Sequence, residues 1–182
     1  MIIGITGTLG AGKGTVVEYL QTKGFKHFSA RAFFTEEVIK RGLPVNRDTI
    51  TETANDLRTK FGLTYVVENL LEQARKQGGD AVLESIRTPS EAEYLKTHGA
   101  KLWAVDADRE VRYERIYKRG SETDNVTFEE FVAHEERELH NDDPAKQSIA
   151  KVMVLADHIF HNDTTPEEMF LDVEEALKEA GI

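Results

Sequence analysis

The chain has no cysteine. A disulfide framework, a thiolate metal site and a cysteine nucleophile are therefore excluded. It has no apolar run near the ~20 residues that a membrane-spanning helix needs. The apolar run at its start is short and has no basic leader, so no secretory signal is expected. Positive charge is also scarce. Lys and Arg number 23 against 33 Asp and Glu, a net charge of −10, whereas a general nucleic-acid binder carries a basic stripe. A nucleotide site is still open to such a chain, because a few placed arginines suffice there. No internal repeat or low-complexity segment interrupts the 182 residues. The expectation is a cytoplasmic protein of one domain, with or without a small insert. Hydrophobic residues make up 40% of the chain, enough for a core. Monomer and homodimer both remain open.

What is present is concentrated in the first fifteen residues. M-I-I-G-I-T is apolar and rich in β-branched residues, G-T-L-G-A-G-K-G-T follows, and an amphipathic run starts with Val16, Val17 and Leu20. Strand, glycine-rich turn and helix form the context of a phosphate-binding loop. Gly7, Gly10 and Gly12 let the backbone wrap a polyphosphate with its N–H groups pointing inward. The helix start adds its positive dipole end and unpaired donors. Lys13 reaches β- and γ-phosphates as a mobile point charge. The strict pattern is G-x-x-x-x-G-K-[ST]; here Gly14 follows Lys13, so the hydroxyl that helps place Mg²⁺ is Thr15. The alternative is a plain glycine-rich turn between strand and helix.

Further elements follow in order. Residues 13–23 read as a helix and 25–29 as a second strand. Ser29 and Arg31 then sit at a strand's C-terminal end, where open α/β sheets bind ligands. Arg31 is a candidate substrate contact; its alternative is an ordinary surface arginine. Helices are expected over 32–41, 46–58 and 65–76, the last with a wide apolar face that suits packing on the sheet. Those before residue 61 have no strand of their own and resemble an insert covering a substrate. Arg41, Arg47 and Arg58 lie in it, each alone more readily a solvated charge. Residues 81–83 read as a buried strand followed by Glu84, where phosphate-loop enzymes orient Mg²⁺ or its waters. Arg87 precedes a helix with Thr88, Pro89 and Glu91 as its start signal; a surface Glu84–Arg87 ion pair is the alternative. After a strand at 101–105, Arg112, Arg115 and Arg119 recur three and four apart on one helix face. Three guanidiniums there suit the charge of a triphosphate, against a salt-bridged exposed helix.

A polar loop is expected at 120–125. The helix that Thr127 opens is mostly charged, with a thin stripe of Phe128, Phe131, Val132 and Leu139. Such a helix reads as a lid rather than a core element, with Arg137 as a candidate phosphate contact. His134 and His140 have no partner spacing for a metal. A helix over 144–156, a strand over 157–161 and a final helix starting at Thr165 and Pro166 complete the chain. The loop holding Asn162 leaves the same sheet edge as the phosphate loop and is a candidate for holding an adenine.

The phosphate loop resembles that of nucleoside monophosphate kinases such as adenylate kinase. L-E-S-I-R-T-P-S-E-A-E-Y-L resembles their D-G-F-P-R-T-x-x-Q-A-x-x-L, which places Glu84 on the acid and Arg87 on the arginine that contacts the acceptor monophosphate. A-D-H-I-F-H-N-D-T-T-P-E-E-M resembles a run near the end of dephospho-CoA kinases. The whole order is most similar to a family of small archaeal kinase-like proteins, with D-G-I-R-S, R-x-E-R-x-x-x-R, E-E-F-x-x-R-D-x-R-E-L and a closing A-D-Y-x-I-x-N. Glu84-Ser85 departs from Asp-Gly, and A-H-E-E-R-E-L lacks one lid arginine. The adenylate-kinase motif that seats the acceptor is not recognisable.

The resemblance implies an α/β, three-layer phosphate-loop NTPase fold in residues 1–182. It has a central five-stranded parallel sheet, a helical acceptor-binding insert near 31–77 and a lid near 119–143. It implies ATP- and Mg²⁺-dependent phosphoryl transfer to a nucleoside or deoxynucleoside monophosphate; a dephospho-CoA kinase, and a non-enzymatic nucleotide-dependent regulatory switch or weak ATPase, are the alternatives. The expected catalytic residues are Lys13, Arg87, Arg115 and Arg119. ATP is expected on Gly7, Leu9, Gly10, Ala11, Gly12, Lys13, Gly14, Thr15 and Val16, with Arg112, Arg115 and Asn162. Mg²⁺ is expected on Thr15 and Glu84, and the acceptor on Ser29, Arg31, Arg58 and Arg87. No nucleic-acid or membrane partner is expected.

Overall fold

A computed structural model describes residues 1–120 and 126–181. The loop expected at 120–125 therefore falls, beyond Gly120, outside the described residues. Five strands, β1 (Ile2–Gly7), β2 (Lys26–Ser29), β3 (Ala81–Glu84), β4 (Lys101–Asp106) and β5 (His158–His161), form one sheet in the order β2-β3-β1-β4-β5. Every pairing is parallel. Helices cover both faces, as a parallel sheet requires: α1 (Lys13–Thr22), α2 (Ala30–Lys40), α3 (Arg47–Phe61), α4 (Tyr65–Gln77), α5 (Pro89–Thr97), α6 (Arg109–Arg119), α7 (Phe128–Leu139), α8 (Ile149–Val154) and α9 (Pro166–Glu179). The three-layer α/β arrangement with a central five-stranded parallel sheet is the one expected.

Side-chain alternation along the strands divides the core. Ile3 and Ile5 of β1 and Val82 of β3 face α1 and α9, meeting Val16, Val17, Leu20, Met169, Val173 and Leu177. Leu83 and Leu102 face the other layer, where α4 contributes Val66, Val67, Leu70, Leu71 and Ala74. That is the wide apolar face read from the sequence. Gly4 points the same way, and a Cβ there would lie 2.9 Å from Leu95 Cδ1, so α5 packs close against the strand. A third, small cluster joins Leu9 of the phosphate loop, Ile116 of α6 and Phe131 of α7.

Helix starts obey local chemistry. α3, α5, α7 and α9 each begin with a reciprocal capping box: Asn46/Thr49, Thr88/Glu91, Thr127/Glu130 and Thr165/Glu168. These boxes satisfy donors that a helix start otherwise leaves open. The helix expected over 144–156 needs correction, since only Ile149–Val154 is helical. Asp143 takes the preceding backbone into a turn, accepting from Lys146 N with its carbonyl and from Ala145 N with its side chain. Ser148 N then donates across to Arg87 O at 2.9 Å. The segment spends its backbone donors outside a helix and lays Gln147 beside Arg87.

No described helix is long and apolar enough to cross a membrane.

Candidate active site

The C-terminal ends of β1 and β3 open into a cavity of about 560 Å³. Its floor is the glycine-rich loop, of which Leu9, Gly10, Gly12, Lys13, Gly14 and Thr15 line the space. Unlike the four helices with a capping box, α1 starts at Gly12 in a left-handed conformation, with no side-chain cap and no acid in its first turn. Thr15 N donates to Gly12 O at 3.0 Å, but no side chain accepts from this helix start, and its positive dipole end suits an anion. Lys13 lies folded back, its Nζ donating to Gly7 O at 2.9 Å and Thr8 O at 2.7 Å. Burial, and then the Arg87 charge, push this amine down to about 7.

Several residues expected at the nucleotide hold the loop from below instead of lining the cavity. Gly7 lies against β4: a Cβ there would meet Val105 O at 2.0 Å. Ala11 and Val16 point into the core on the α1 side. Asn162 is buried and donates from Nδ2 to Ala11 O at 2.8 Å. A Cβ on Gly12 would sit 2.2 Å from that amide. Thr8 donates to Asp106 at 2.6 Å. Arg112 is buried, donating to Ala107 O at 2.7 Å and Leu9 O at 3.2 Å and pairing with Glu135 of α7. Its spacing puts it on the face of Arg115 and Arg119, but α6 passes so close to Gly10 that a Cβ there would meet Arg112 O at 2.5 Å. Arg112 therefore goes under the loop, while Arg115 and Arg119 line the cavity. Arg115 Nη1 is buried with no hydrogen bond among the described residues.

On the side of β3, Glu84 and Arg87 both line the cavity but do not pair with each other. Glu84 takes a 3.0 Å contact from His27 Nε2 on β2. Burial pushes its carboxyl up, but the His27 hydrogen bond and the Lys13 charge outweigh that and hold it below the ordinary carboxylate value. Ser85 follows with φ 73, a left-handed conformation costly for a residue with a Cβ. It is the position where the resembling kinases carry glycine. Arg31 and Arg58 also line the cavity. Ser29 does not; its hydroxyl accepts from Ala32 N at 3.2 Å and caps α2.

The charged helix α7 brings in residues that the sequence reading left out. Phe131, Glu135 and Glu138 recur four and three apart, and all are buried. Glu138 accepts from Arg47 Nη1 at 2.8 Å and from Arg87 Nη1 at 2.6 Å. Arg87 Nη1 also donates to Gln147 Oε1 at 2.8 Å. Arg137 lies outside the cavity and pairs with Asp48 on α3 at 2.9 Å. The signal for Glu135 and Glu138 was there: two acids share one helix face with a buried phenylalanine, and buried acids need cationic partners.

A family model described as an AAA domain matches residues 3–161. A UPF0200 protein of Sulfurisphaera tokodaii is 32% identical over 178 residues, covering 97% of this chain and 96% of that protein. One from Methanocaldococcus jannaschii is 31% identical over 188 residues, covering 98% and 90%. The chain belongs to the AAA domain and UPF0200 families. Among solved structures, shikimate kinase from Bacteroides thetaiotaomicron superposes on this UPF0200 chain with a TM-score of 0.59 at 15% identity, covering 98% of both chains. Dephospho-CoA kinase from Campylobacter jejuni gives a TM-score of 0.52 at 17% identity, covering 98% of this chain and 96% of that one. At such identities the likeness is one of fold. The UPF0200 chain has the P-loop small-molecule kinase fold, a nucleotide-binding fold, in agreement with the resemblance drawn from its motifs.

The Lys13 environment gives a pH prediction. In the free protein the amine titrates at about 7, and a polyphosphate placed beside it favours the charged form, raising its pKa. Binding then takes up a proton whenever the pH exceeds ~7. Affinity of this UPF0200 protein for ATP should be greatest below that value. It should fall above it by at most about tenfold per pH unit. Calorimetric titration of a non-hydrolysable ATP analogue, at several pH values and in buffers of different ionisation enthalpy, checks both. A flat profile with no proton uptake contradicts the assignment.

Proposed function

We propose that this UPF0200 protein transfers the γ-phosphoryl of ATP, with Mg²⁺, to a nucleoside or deoxynucleoside monophosphate. The observation that supports it best is the convergence of Lys13, Glu84, Arg87, Arg115 and Arg119 on one cavity above an uncapped helix start. The cavity suits the implied nucleotide and cation. Gly14 leaves its Cβ position empty, and Thr15 and Glu84 offer the oxygen donors that Mg²⁺ prefers. When bound, Mg-ATP supplies the phosphoryl group and the cation neutralises part of its charge.

The residues of the chain act by position and charge. The Lys13 amine leaves the Gly7 and Thr8 carbonyls for the phosphates. Glu84, held ionised, orders the cation or its waters, and Arg115 and Arg119 face the transferring group. Arg87 holds the acceptor's anionic end. The α7 lid excludes water, which would otherwise compete as acceptor.

The test is incubation with Mg-ATP and, separately, each nucleoside monophosphate, dephospho-CoA and shikimate. The expected result is acceptor-dependent ADP formation with a new phosphorylated monophosphate. Product from dephospho-CoA alone moves the reading to that acceptor. Nucleotide binding without product from any acceptor overturns the kinase reading and leaves a nucleotide-dependent switch.

A further inference from the structure

The acceptor side of the cavity already holds an anion, and it belongs to the protein. Glu138 reaches from α7 into the space between Arg47 of α3 and Arg87 of the loop after β3. Each guanidinium takes a different carboxylate oxygen. Burial pushes this carboxyl up, but Arg87 and Arg47 outweigh it and keep it ionised. All three side chains line the same cavity as Lys13. Two guanidiniums against one carboxylate leave a positive charge over. A phosphate monoester offers the same pair of acceptor oxygens, a third besides, and up to two negative charges, so it matches the two arginines better than one carboxylate does.

Two of the lid's other ties suit release. Apart from Phe131 and its small cluster, α7 is held largely by ion pairs. Arg137 meets Asp48 across to α3, and Arg109 meets Glu135 and Glu136. The Arg137–Asp48 and Arg109–Glu136 pairs are exposed and individually weak, whereas Glu135 is buried and also pairs with the buried Arg112, which holds that part of α7 under the phosphate loop. Removing Glu138 from between the arginines therefore frees the end of α7 beyond Glu135, while the Arg112–Glu135 pair and Phe131 keep the rest of the helix in place.

We propose that Arg47 and Arg87 together bind the acceptor's anionic group, a phosphate monoester, and that Glu138 is its built-in surrogate, displaced when the acceptor enters. This deepens the phosphotransferase reading and rests on it for the word acceptor. The binding event itself is measured without turnover. Because the surrogate occupies the site in the free protein, apparent affinity for phosphate is reduced by the fraction of molecules with the site open.

The experiment titrates inorganic phosphate, and in parallel AMP, into the full chain with the phosphate loop filled by a non-hydrolysable ATP analogue. Glu138→Gln keeps the shape and loses the charge. It should bind inorganic phosphate at least about tenfold more tightly than the unaltered protein, and adding Arg47→Ala should abolish that gain. In the unaltered protein, phosphate should speed hydrogen exchange of the α7 amides beyond Glu135, a readout independent of how well the variant folds. Unchanged or weaker phosphate binding by Glu138→Gln makes Glu138 a structural tie and overturns the proposal, as does α7 exchange that ignores phosphate. A gain that survives Arg47→Ala overturns the two-arginine site. A protein that meets these expectations yet phosphorylates nothing fails only the kinase reading. One that turns over but shows no gain fails only this inference.

Discussion

Lys13→Ala is expected to lower phosphoryl transfer by about 10²–10³-fold, the scale seen when one preorganised donor to a transition-state oxygen is removed. The loss should appear in kcat as well as KM, because charge on the transferring group grows in the transition state. The fold should survive. The amine's two partners are the Gly7 and Thr8 carbonyls, at the edge of a cavity that water can enter. Its titration near 7 in place of the ordinary 10.5 sets the sign of the stability change. Between those values the unfolded chain binds the proton more readily than the folded one, so this group's contribution to stability rises with pH through that window and is least below it. Alanine removes the penalty, and the variant should melt no lower than the unaltered protein at pH 7. Steady-state kinetics beside a thermal melt decide it. Turnover retained within a few-fold would take the loop out of the mechanism, and a collapsed melt would make Lys13 a structural residue.

The parts of this protein that could be read in advance are those written locally. Strand, glycine turn and helix are contiguous. Thr88, Pro89 and Glu91 lie within four positions, and the α4 stripe repeats within one helix. The central strands are short apolar runs beside turn signals, and the stretch 25–29 shows instead the apolar–polar alternation of an edge strand. The end of the cavity around Glu138 was less legible because its members are distant in sequence: Arg47, Arg87, Glu138 and Gln147 come from four segments and meet only through the crossovers. Arg47 looked like a solvated charge because nothing near it in sequence is its partner. Arg112 carries a different lesson. Spacing along a helix fixes a residue's direction around the axis, not its depth against a neighbour. The approach of α6 to Gly10 sends the first arginine under the loop and leaves the next two above it.

Arg58 joins the two kinds of information, and its removal should have the largest effect on stability. It was expected at the acceptor, and it does line the cavity. Its main partner, however, is Glu91, which the sequence identified only as a helix cap. Arg58 Nε and Nη2 both lie 2.8 Å from Glu91 Oε1, and the guanidinium sits 5.3 Å over the Phe34 ring. Glu91 Oε2 accepts from Arg87 N at 2.9 Å and Thr88 N at 3.1 Å. Arg58 and Glu91 are 1% and 2% exposed, so neither charge has water to fall back on. Arg58→Ala strands a buried carboxylate, at a cost of about 3–5 kcal/mol. In a domain of this size that corresponds to a Tm lower by roughly 10 °C. Adding Glu91→Gln should restore part of the loss, because the stranded charge is gone while the amide can still accept at the cap. The pair of melts separates this account from simple loss of packing over Phe34, which the second change would not repair. Arg58→Ala within about 1 kcal/mol of the unaltered protein would contradict it. Function should fail alongside stability. Glu91 fixes the backbone N–H of Arg87, and Arg58 Nη1 is buried with no hydrogen bond among the described residues. A rise in acceptor KM should therefore accompany the lower Tm and persist in the double variant, since restoring the cap does not restore the missing guanidinium.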